Sequence, residues 1–521
     1  MTSGFMNGSA QPTIRQVKSK WTLPRNQAIV LAFLVLGILL RLRQYLFDRS
    51  LWLDESLLVL NIVRRSPAEL LKPLANHQSA PIGFLLLEKL AVHYLGPGEM
   101  ALRLVPFLCG LLSIFLFVAV SRWFLAPMAV SIAVGLFSIS GPLIYYSSEA
   151  KQYSGDVAVI LGLYLLAGYW MEAESDAIRA IVASVVGGVA IWFSQPAVFV
   201  MTGLGLGALW TSARKNNRRA LFLAAIPCVV WATSFLVLYW FSLRHLTDDT
   251  WLLWYWKGAF APLLYSLQGV RWYTETFFAV LSDPVGLTLL GIAGVAAIVG
   301  ARQFFAERRN AFTLLLLPVA LTLLASGVHR YPFRGRLLLF LVPSVILLIA
   351  SGLETIHRKT RDSVPLLGVL LVGFLFFHPL MEASRYFVRP HSVEEIRPVI
   401  AYMEKHRASG DLLYSYYGSK ESLDYYRQLG VIGPIDTVIG VESREHWKPY
   451  REDLDKLHGN PRVWVLFSHV YREGGVDEER LFLDHLDGEG KRLDSSLAIG
   501  ASVYLYDLTQ EKGETADKSS N

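Results

Sequence analysis

The sequence predicts an all-α polytopic membrane protein with a small α/β domain at its C-terminus. Three observations lead there. Hydrophobic residues make up 53% of the 521-residue chain and charged residues only 18%, below the roughly 25% charged of a soluble protein. Mean hydropathy is +0.38, and 14 Trp and 23 Tyr supply the side chains that favour headgroup depth. Apolar runs of about 17–24 residues, each long enough to cross a bilayer, recur from residue 27 to residue 380. A single-domain cytosolic enzyme is excluded. So is a disulfide scaffold, because the two cysteines, Cys109 and Cys228, both lie inside apolar runs.

Residues 1–26 carry Arg15, Lys18, Lys20 and Arg25 with no acidic residue. They read as a cytoplasmic N-terminus ahead of a retained first helix at 27–47, too long for a signal peptide. Further spans are expected at 100–122, 127–146, 157–171, 178–194, 197–211, 219–242, 283–301, 311–327, 336–353 and 364–380. The total of about eleven helices places the C-terminus outside. The loops Arg214–Arg219, Arg302–Arg309 and His357–Arg361 then face the cytoplasm, and all three are basic. One loop dissents, with Glu172, Glu174 and Asp176 against Arg179, but acidic residues weigh little in that rule. The net charge of +6 is therefore a product of topology, and no nucleic acid is expected as a partner.

The run 80–96 is interrupted by Glu88, Lys89 and His93. Counted as a span it would put the basic loops outside, so it reads as a helix along the outer membrane face. It belongs to a long outer loop, 48–99, within a transmembrane domain of 27–380. Residues 381–510 have the balance of a soluble α/β domain. Helices are expected at Val393–Arg407, Ser419–Leu429 and Asp477–Leu486, with strands at Leu412–Tyr417, Val463–Ser468 and Ser502–Leu508. The polar segment 511–521 is expected to be disordered.

Chemistry-bearing residues crowd on the expected outer side. Asp54 and Glu55 follow Trp52 just beyond the first helix. Two adjacent carboxylates at a membrane surface are costly unless solvated or used. Neighbours on a helix point about 100° apart, so the pair cannot share a face. The plain alternative makes Asp54 the cap of the helix that follows. His77 stands in a polar turn before Pro81; it is either simply part of that turn or a donor to an anion. Glu149, Lys151, Tyr153 and Asp156 fall between two spans, like the wall of a polar cavity. Arg330, Arg334 and Arg336, with Tyr331 among them, lie where positive charge is normally scarce. An anion would explain them, since arginine forks suit phosphate oxygens; lipid headgroups are the other explanation. Arg271 could join them from another outer loop. Residues 251–256 read more simply as an aromatic belt than as a sugar platform. Tyr153 and Tyr331 are candidate substrate contacts. No P-loop, HExxH, CxxC or GxSxG motif is present.

An outer Asp-Glu pair after the first helix, then His77 and Pro81 ahead of a surface helix, then Arg103-Leu104-Val105-Pro106 opening the next span, resembles the GT-C glycosyltransferases. The branch it is similar to contains protein mannosyltransferases, the lipid A aminoarabinose transferase and rhizobial lipopolysaccharide galacturonosyltransferases. Tyr331 to Pro343 is similar to a later motif of that branch. The resemblance covers about residues 40–360 and implies a GT-C-like bundle with juxtamembrane helices on its outer face. It also implies transfer of a hexose or pentose from a polyprenyl-phosphate donor to a lipid, polysaccharide or protein acceptor, in a bacterial inner membrane. Asp54 matches the base, and either Asp156 or Glu149 the second acidic residue. Relatives often have His-x-Pro-Pro where this chain has His77-Gln78-Ser79-Ala80-Pro81, and a lysine near that point in the aminoarabinose branch is absent. No cofactor is required by the sequence; a divalent metal, if present, would suit Asp54, Glu55 and Asp156. A transporter of lipid-linked sugars is the alternative, and it predicts charges within spans and broken helices.

Overall fold

A computed structural model describes residues 25–171, 175–247, 249–263, 265–444 and 446–509. The basic residues before Arg25, the acidic pair Glu172 and Glu174 and the tail 511–521 lie outside the described residues.

The chain begins with α1 (Arg25–Tyr45), followed by the shorter α2 (Leu53–Arg64), α3 (Ile82–Leu95) and α4 (Glu99–Leu102). Next come α5 (Leu104–Phe124), α6 (Pro127–Ile139), α7 (Gly141–Tyr145) and α8 (Tyr153–Met171). α9 (Ala177–Phe193), α10 (Ala197–Arg214) and α11 (Arg218–Leu238) continue the bundle. The short α12 (Arg244–Thr247) and α13 (Thr250–Tyr255) precede α14 (Leu267–Ser282). α15 (Leu290–Glu307), α16 (Arg309–Gly327), α17 (Val342–Thr360) and α18 (Leu367–Val388) complete it.

The chain is a multi-pass membrane protein. Among the described residues eight helices are long and apolar enough to cross a membrane, nine if the bent pair α6–α7 counts as one. This corrects the expected eleven. The other two expected spans fall on α9, only 17 residues long, and on α10, diluted by three glycines, two threonines and a serine. Both still pack inside the bundle, against α11 and α16 respectively.

The expected straight span 127–146 is also broken, by 57° between Ile139 and Gly141. Pro142 has no N–H to give the Ser138 carbonyl, so the helical ladder stops there. Arg41 of α1, fully buried, replaces the lost donors with hydrogen bonds to the carbonyls of Ser138 (3.2 Å) and Phe137 (3.4 Å). Elsewhere two helices touch through glycine: a Cβ on Gly300 would meet the Leu348 carbonyl, and one on Gly352 the Ala296 carbonyl. Small residues four apart let α15 and α17 approach backbone to backbone.

The C-terminal domain contains α19 (Ile396–His406), β1 (Leu412–Ser415), α20 (Lys420–Gln428), β2 (Asp436–Ile439) and α21 (Trp447–Leu454). It ends with β3 (Val463–Ser468), α22 (Glu478–Glu489), β4 (Lys491–Ala498) and β5 (Ala501–Asp507). The sheet order is β2-β1-β3-β5-β4; β1 runs parallel to β2 and β3, and β5 runs antiparallel to β3 and β4. The sequence does not predict β2 and β4. Both are edge strands, short or charged, and lack the apolar run that marks the buried β3.

This domain shares one apolar core with the long first loop. Leu58 and Ile62 of α2 lie with Phe84 of α3 and with Ile396, Ile400 and Leu423 of the domain. The segment before α2 is held the same way. Leu51 N–H donates to Tyr426 Oη (2.9 Å), and Ser50 N–H and Oγ both bind Glu395 Oε2.

Candidate active site

α2 carries the candidate base and is fixed at both ends. Its N-cap is Trp52, which offers no side-chain acceptor, so Asp54 is not the cap but the second residue of the helix. The exposed Leu53 N–H is taken instead by Glu394 Oε2 of the C-terminal domain at 3.2 Å. At the other end Lys89 Nζ binds the carbonyls of Ile62 and Val63.

Asp54 is held between two cations. Lys151 Nζ donates to its Oδ1 at 3.1 Å, and Arg336 Nη2 lies 2.8 Å from its Oδ2. Burial opposes its charge, but Lys151 and Arg336 outweigh that and hold it below the usual carboxylate range. Lys151 is buried and also donates to Gln78 Oε1 at 2.8 Å. Burial pulls its ammonium below the usual lysine range even with Asp54 beside it. Arg336 lies over the rings of Trp52 and Tyr153, with 5.5 and 5.7 Å from its guanidinium carbon to their centroids.

Glu55 points the other way, as neighbouring helix positions require. Both its oxygens are gripped by Arg103, at 2.8 and 2.6 Å, and Ala150 N–H adds a third bond at 2.8 Å. Arg103 also reaches the carbonyls of Arg49 and Ser50. Burial again opposes the charge, and Arg103 and Arg49 keep Glu55 ionised. It fastens the loop at Ala150, which sets Lys151 in place.

Glu149 is fully buried, and neither oxygen has a hydrogen-bond partner. Burial, then the charge of Glu55, pushes it up to about 7. Asp156 is buried inside α8 with Oδ1 unpartnered, and no hydrogen bond or ion pair among the described residues joins it to Asp54, Glu55 or Glu149. Among the described residues no three His, Cys, Asp or Glu side chains converge to hold a metal ion. Asp54, Glu55 and Asp156 thus do not form a cation cage, because each faces a different neighbourhood.

The other expected phosphate ligands are scattered. His77 Nδ1 pairs with Asp249 Oδ2 at 2.6 Å and its ring stacks on Trp251. It lines a cavity of about 230 Å³ that also includes Gln78, Lys72 and His245. Arg271 is exposed on α14 and pairs with Glu275 at 2.6 Å, away from Asp54. Arg330 is exposed, and Arg334, also exposed, acts on Asp283 rather than Asp54. Tyr331 is a brace: its Oη donates to the Leu337 carbonyl at 2.8 Å, shaping the turn Gly335–Leu341 that presents Arg336. Gly335 in that turn has φ 51 and lies against Asp283.

The C-terminal domain adds a residue that the sequence gives little reason to single out. His469, directly after β3, donates through Nδ1 to Glu394 Oε1 at 2.7 Å, and its ring lies 6.3 Å from that of Trp52. The only signal in the chain is a Ser-His pair ending an apolar strand.

The charged cluster and the basic loops occupy opposite ends of the bundle. α5 runs from Leu104, directly after Arg103, to Phe124, and Arg308 binds the Phe124 carbonyl at 2.7 Å. Twenty-one helical residues separate the two ends by about 32 Å.

No protein-family model matches the sequence, and no curated protein does. Solved structures do resemble it. The Archaeoglobus fulgidus oligosaccharyltransferase, in complex with zinc and sulfate, superposes with a TM-score of 0.51 at 13% identity, covering 84% of this chain and 67% of that one. ArnT from Cupriavidus metallidurans bound to undecaprenyl phosphate gives 0.51 at 13% identity, covering 92% and 98%. AglB, the A. fulgidus archaeal oligosaccharyltransferase with an inhibitory peptide and a dolichol-phosphate, gives 0.50 at 12%, covering 93% and 74%. The fold is that of these solved structures, in keeping with the GT-C-like bundle that the sequence resemblance implies.

Proposed function

We propose that the protein transfers a sugar from a polyprenyl-phosphate donor to an acceptor hydroxyl at the membrane face where Asp54 lies. The observation that carries this reading is the pair of cations, Lys151 and Arg336, set on either side of one carboxylate. The acceptor oxygen attacks the anomeric carbon as the carbon–oxygen bond to the phosphate breaks, and the configuration inverts. The bonding pair leaves on the phosphate oxygen, and the hydroxyl proton goes to Asp54. Lys151 and Arg336 meet the phosphate charge, the largest help such a leaving group can receive. Drawing them onto the phosphate releases both Asp54 oxygens, which raises the basicity of Asp54 at the moment a base is needed.

The positive loops at the far end of the bundle support a cytoplasmic N-terminus with the Asp54 cluster outside, and the family resemblance implies a bacterial inner membrane. The break between α6 and α7 is a feature that a transporter of lipid-linked sugars would also have. Its effect in this chain is local, because it turns Glu149 and Lys151 toward Asp54 at the bundle end rather than opening a midplane site.

The test is turnover of a panel of undecaprenyl-phosphate sugars by purified membranes carrying wild type or Asp54→Asn. Transfer should fall by about 10²–10⁴-fold in the variant with expression unchanged. Equal transfer by both would remove Asp54 from the reaction. Labelled lipid crossing the bilayer with no donor consumed would install the transporter.

A further inference from the structure

The junction between α18 and the C-terminal domain holds an open groove of about 680 Å³. Met381, Arg385 and Val388 line it from the end of α18, Arg389 and His391 from the link that follows, and Ile499 from the turn between β4 and β5. α18 begins a few residues after the basic loop His357–Arg361 and runs for 22 residues, about 33 Å. The groove therefore lies at the Asp54 end of the bundle, where a membrane span meets the headgroups.

Arg385 and Arg389 are exposed, and among the described residues neither side chain has a hydrogen bond, ion pair or ring contact. Cations at the end of a helix ordinarily serve its last carbonyls. Here Arg43 already does so, with Nε 3.1 Å from the Phe387 carbonyl oxygen and Nη2 3.4 Å from that of Val388. The carboxylate of Glu382, one turn back, is taken by Tyr386 Oη at 2.7 Å. Met381 and Val388, 44% and 80% exposed, add apolar surface to the same groove. Unpaired guanidinium groups with apolar side chains at headgroup depth suit a lipid phosphate and the first methylenes of its chains.

The groove also adjoins what holds the Asp54 segment. Glu395 N–H donates to the Ile499 carbonyl at 2.7 Å, and its carboxylate binds Ser50. Glu394 beside it caps α2. Among the described residues no lining residue has a hydrogen bond or ion pair to Asp54, Lys151 or Arg336, so the groove is distinct from that cluster.

We propose that this groove binds the phosphodiester headgroup of an anionic bilayer lipid, and that the bound lipid clamps the C-terminal domain to α18 and steadies the segment before α2. Arg385 belongs to the bundle and Ile499 to the domain, so one lipid seated between them ties the two together. The proposal stands apart from the glycosyl-transfer reading, and its test needs no turnover.

The full-length protein in phosphatidylcholine nanodiscs, with and without added phosphatidylglycerol, provides that test. Native mass spectrometry reads the retained lipid, and hydrogen exchange reads residues 50–56. Wild type should retain phosphatidylglycerol, and exchange of that segment should slow when it is present. Arg385→Gln with Arg389→Gln should weaken retention by roughly 30-fold and abolish the slowing. Arg358→Gln with Lys359→Gln, at the other end of the bundle, should change neither. No phosphatidylglycerol on wild type, or equal retention by the Arg385 and Arg389 variant, overturns the lipid site. So does equal slowing by inorganic phosphate in phosphatidylcholine alone, which would make the ligand a free anion. Displacement of phosphatidylglycerol by equimolar undecaprenyl phosphate would give the groove to the donor, and a dimer mass lost in the variant would give it to a second copy; either overturns the proposal. Retention without slowed exchange removes the clamp.

Discussion

Arg103 holds both oxygens of Glu55 where water does not reach, with the two side chains 3% and 0% exposed. The carboxylate next to Asp54 in sequence is thereby withdrawn from substrate and given to the scaffold. Removing one partner leaves the other charged and buried. Arg103→Met should cost about 3–5 kcal/mol and appear in thermal melting of the purified protein as lost folding. Glu55→Leu combined with Arg103→Met should restore much of that loss, because the orphaned charge is gone.

Arg336 serves through shape as well as charge. Arg336→Lys keeps a cation near Asp54 but gives up the guanidinium plane over Trp52 and Tyr153. Transfer should fall by roughly 10²-fold while the melting temperature barely moves. A variant with wild-type transfer would show that a point charge suffices.

Glu149 makes stability depend on pH with a definite sign. Burial and then Glu55 raise its folded value to about 7, so the folded state keeps a proton that the unfolded chain has already released. Its favourable contribution is whole below the ordinary carboxylate range and is lost as pH rises through about 7. Glu149→Gln should flatten that part of the stability profile, measured by chemical denaturation at a series of pH values. An unchanged slope would mean that Glu149 is solvated.

The contact between α15 and α17 tolerates no added atom. Gly352→Ala would press a methyl into the Ala296 carbonyl, and such overpacking costs about 1–3 kcal/mol or more. Yield of folded protein should drop even though the residue is remote from Asp54. Ala296→Gly should not rescue it, because the obstruction is backbone.

The sequence makes the helix order legible because each span needs its own apolar run, and the basic loops mark one end of the bundle. Asp54, Lys151 and Arg336 stand out because charge at the opposite end needs a reason. Position around the bundle is another matter. Arg271 and Arg336 belong to the same expected side, yet one pairs with Glu275 on an exposed helix and the other with Asp54. Side can be read from alternation, but lateral neighbours depend on how helices pack. The bend at Ser140 is hidden within a continuous apolar run, its only sign the Gly-Pro pair. Glu394 and His469 are ordinary residues of a polar domain until that domain docks on α2.

The cap that Glu394 places on α2 also bears on the order of synthesis. α2 emerges well before α18, whereas the residue that completes its first turn follows α18. Some 340 residues separate the two partners, so the cap forms only after the helices between them have been made. A chain made only as far as α18 carries Asp54, Lys151 and Arg336 but lacks Glu394, so the first N–H of α2 stays without this partner until the C-terminal domain docks.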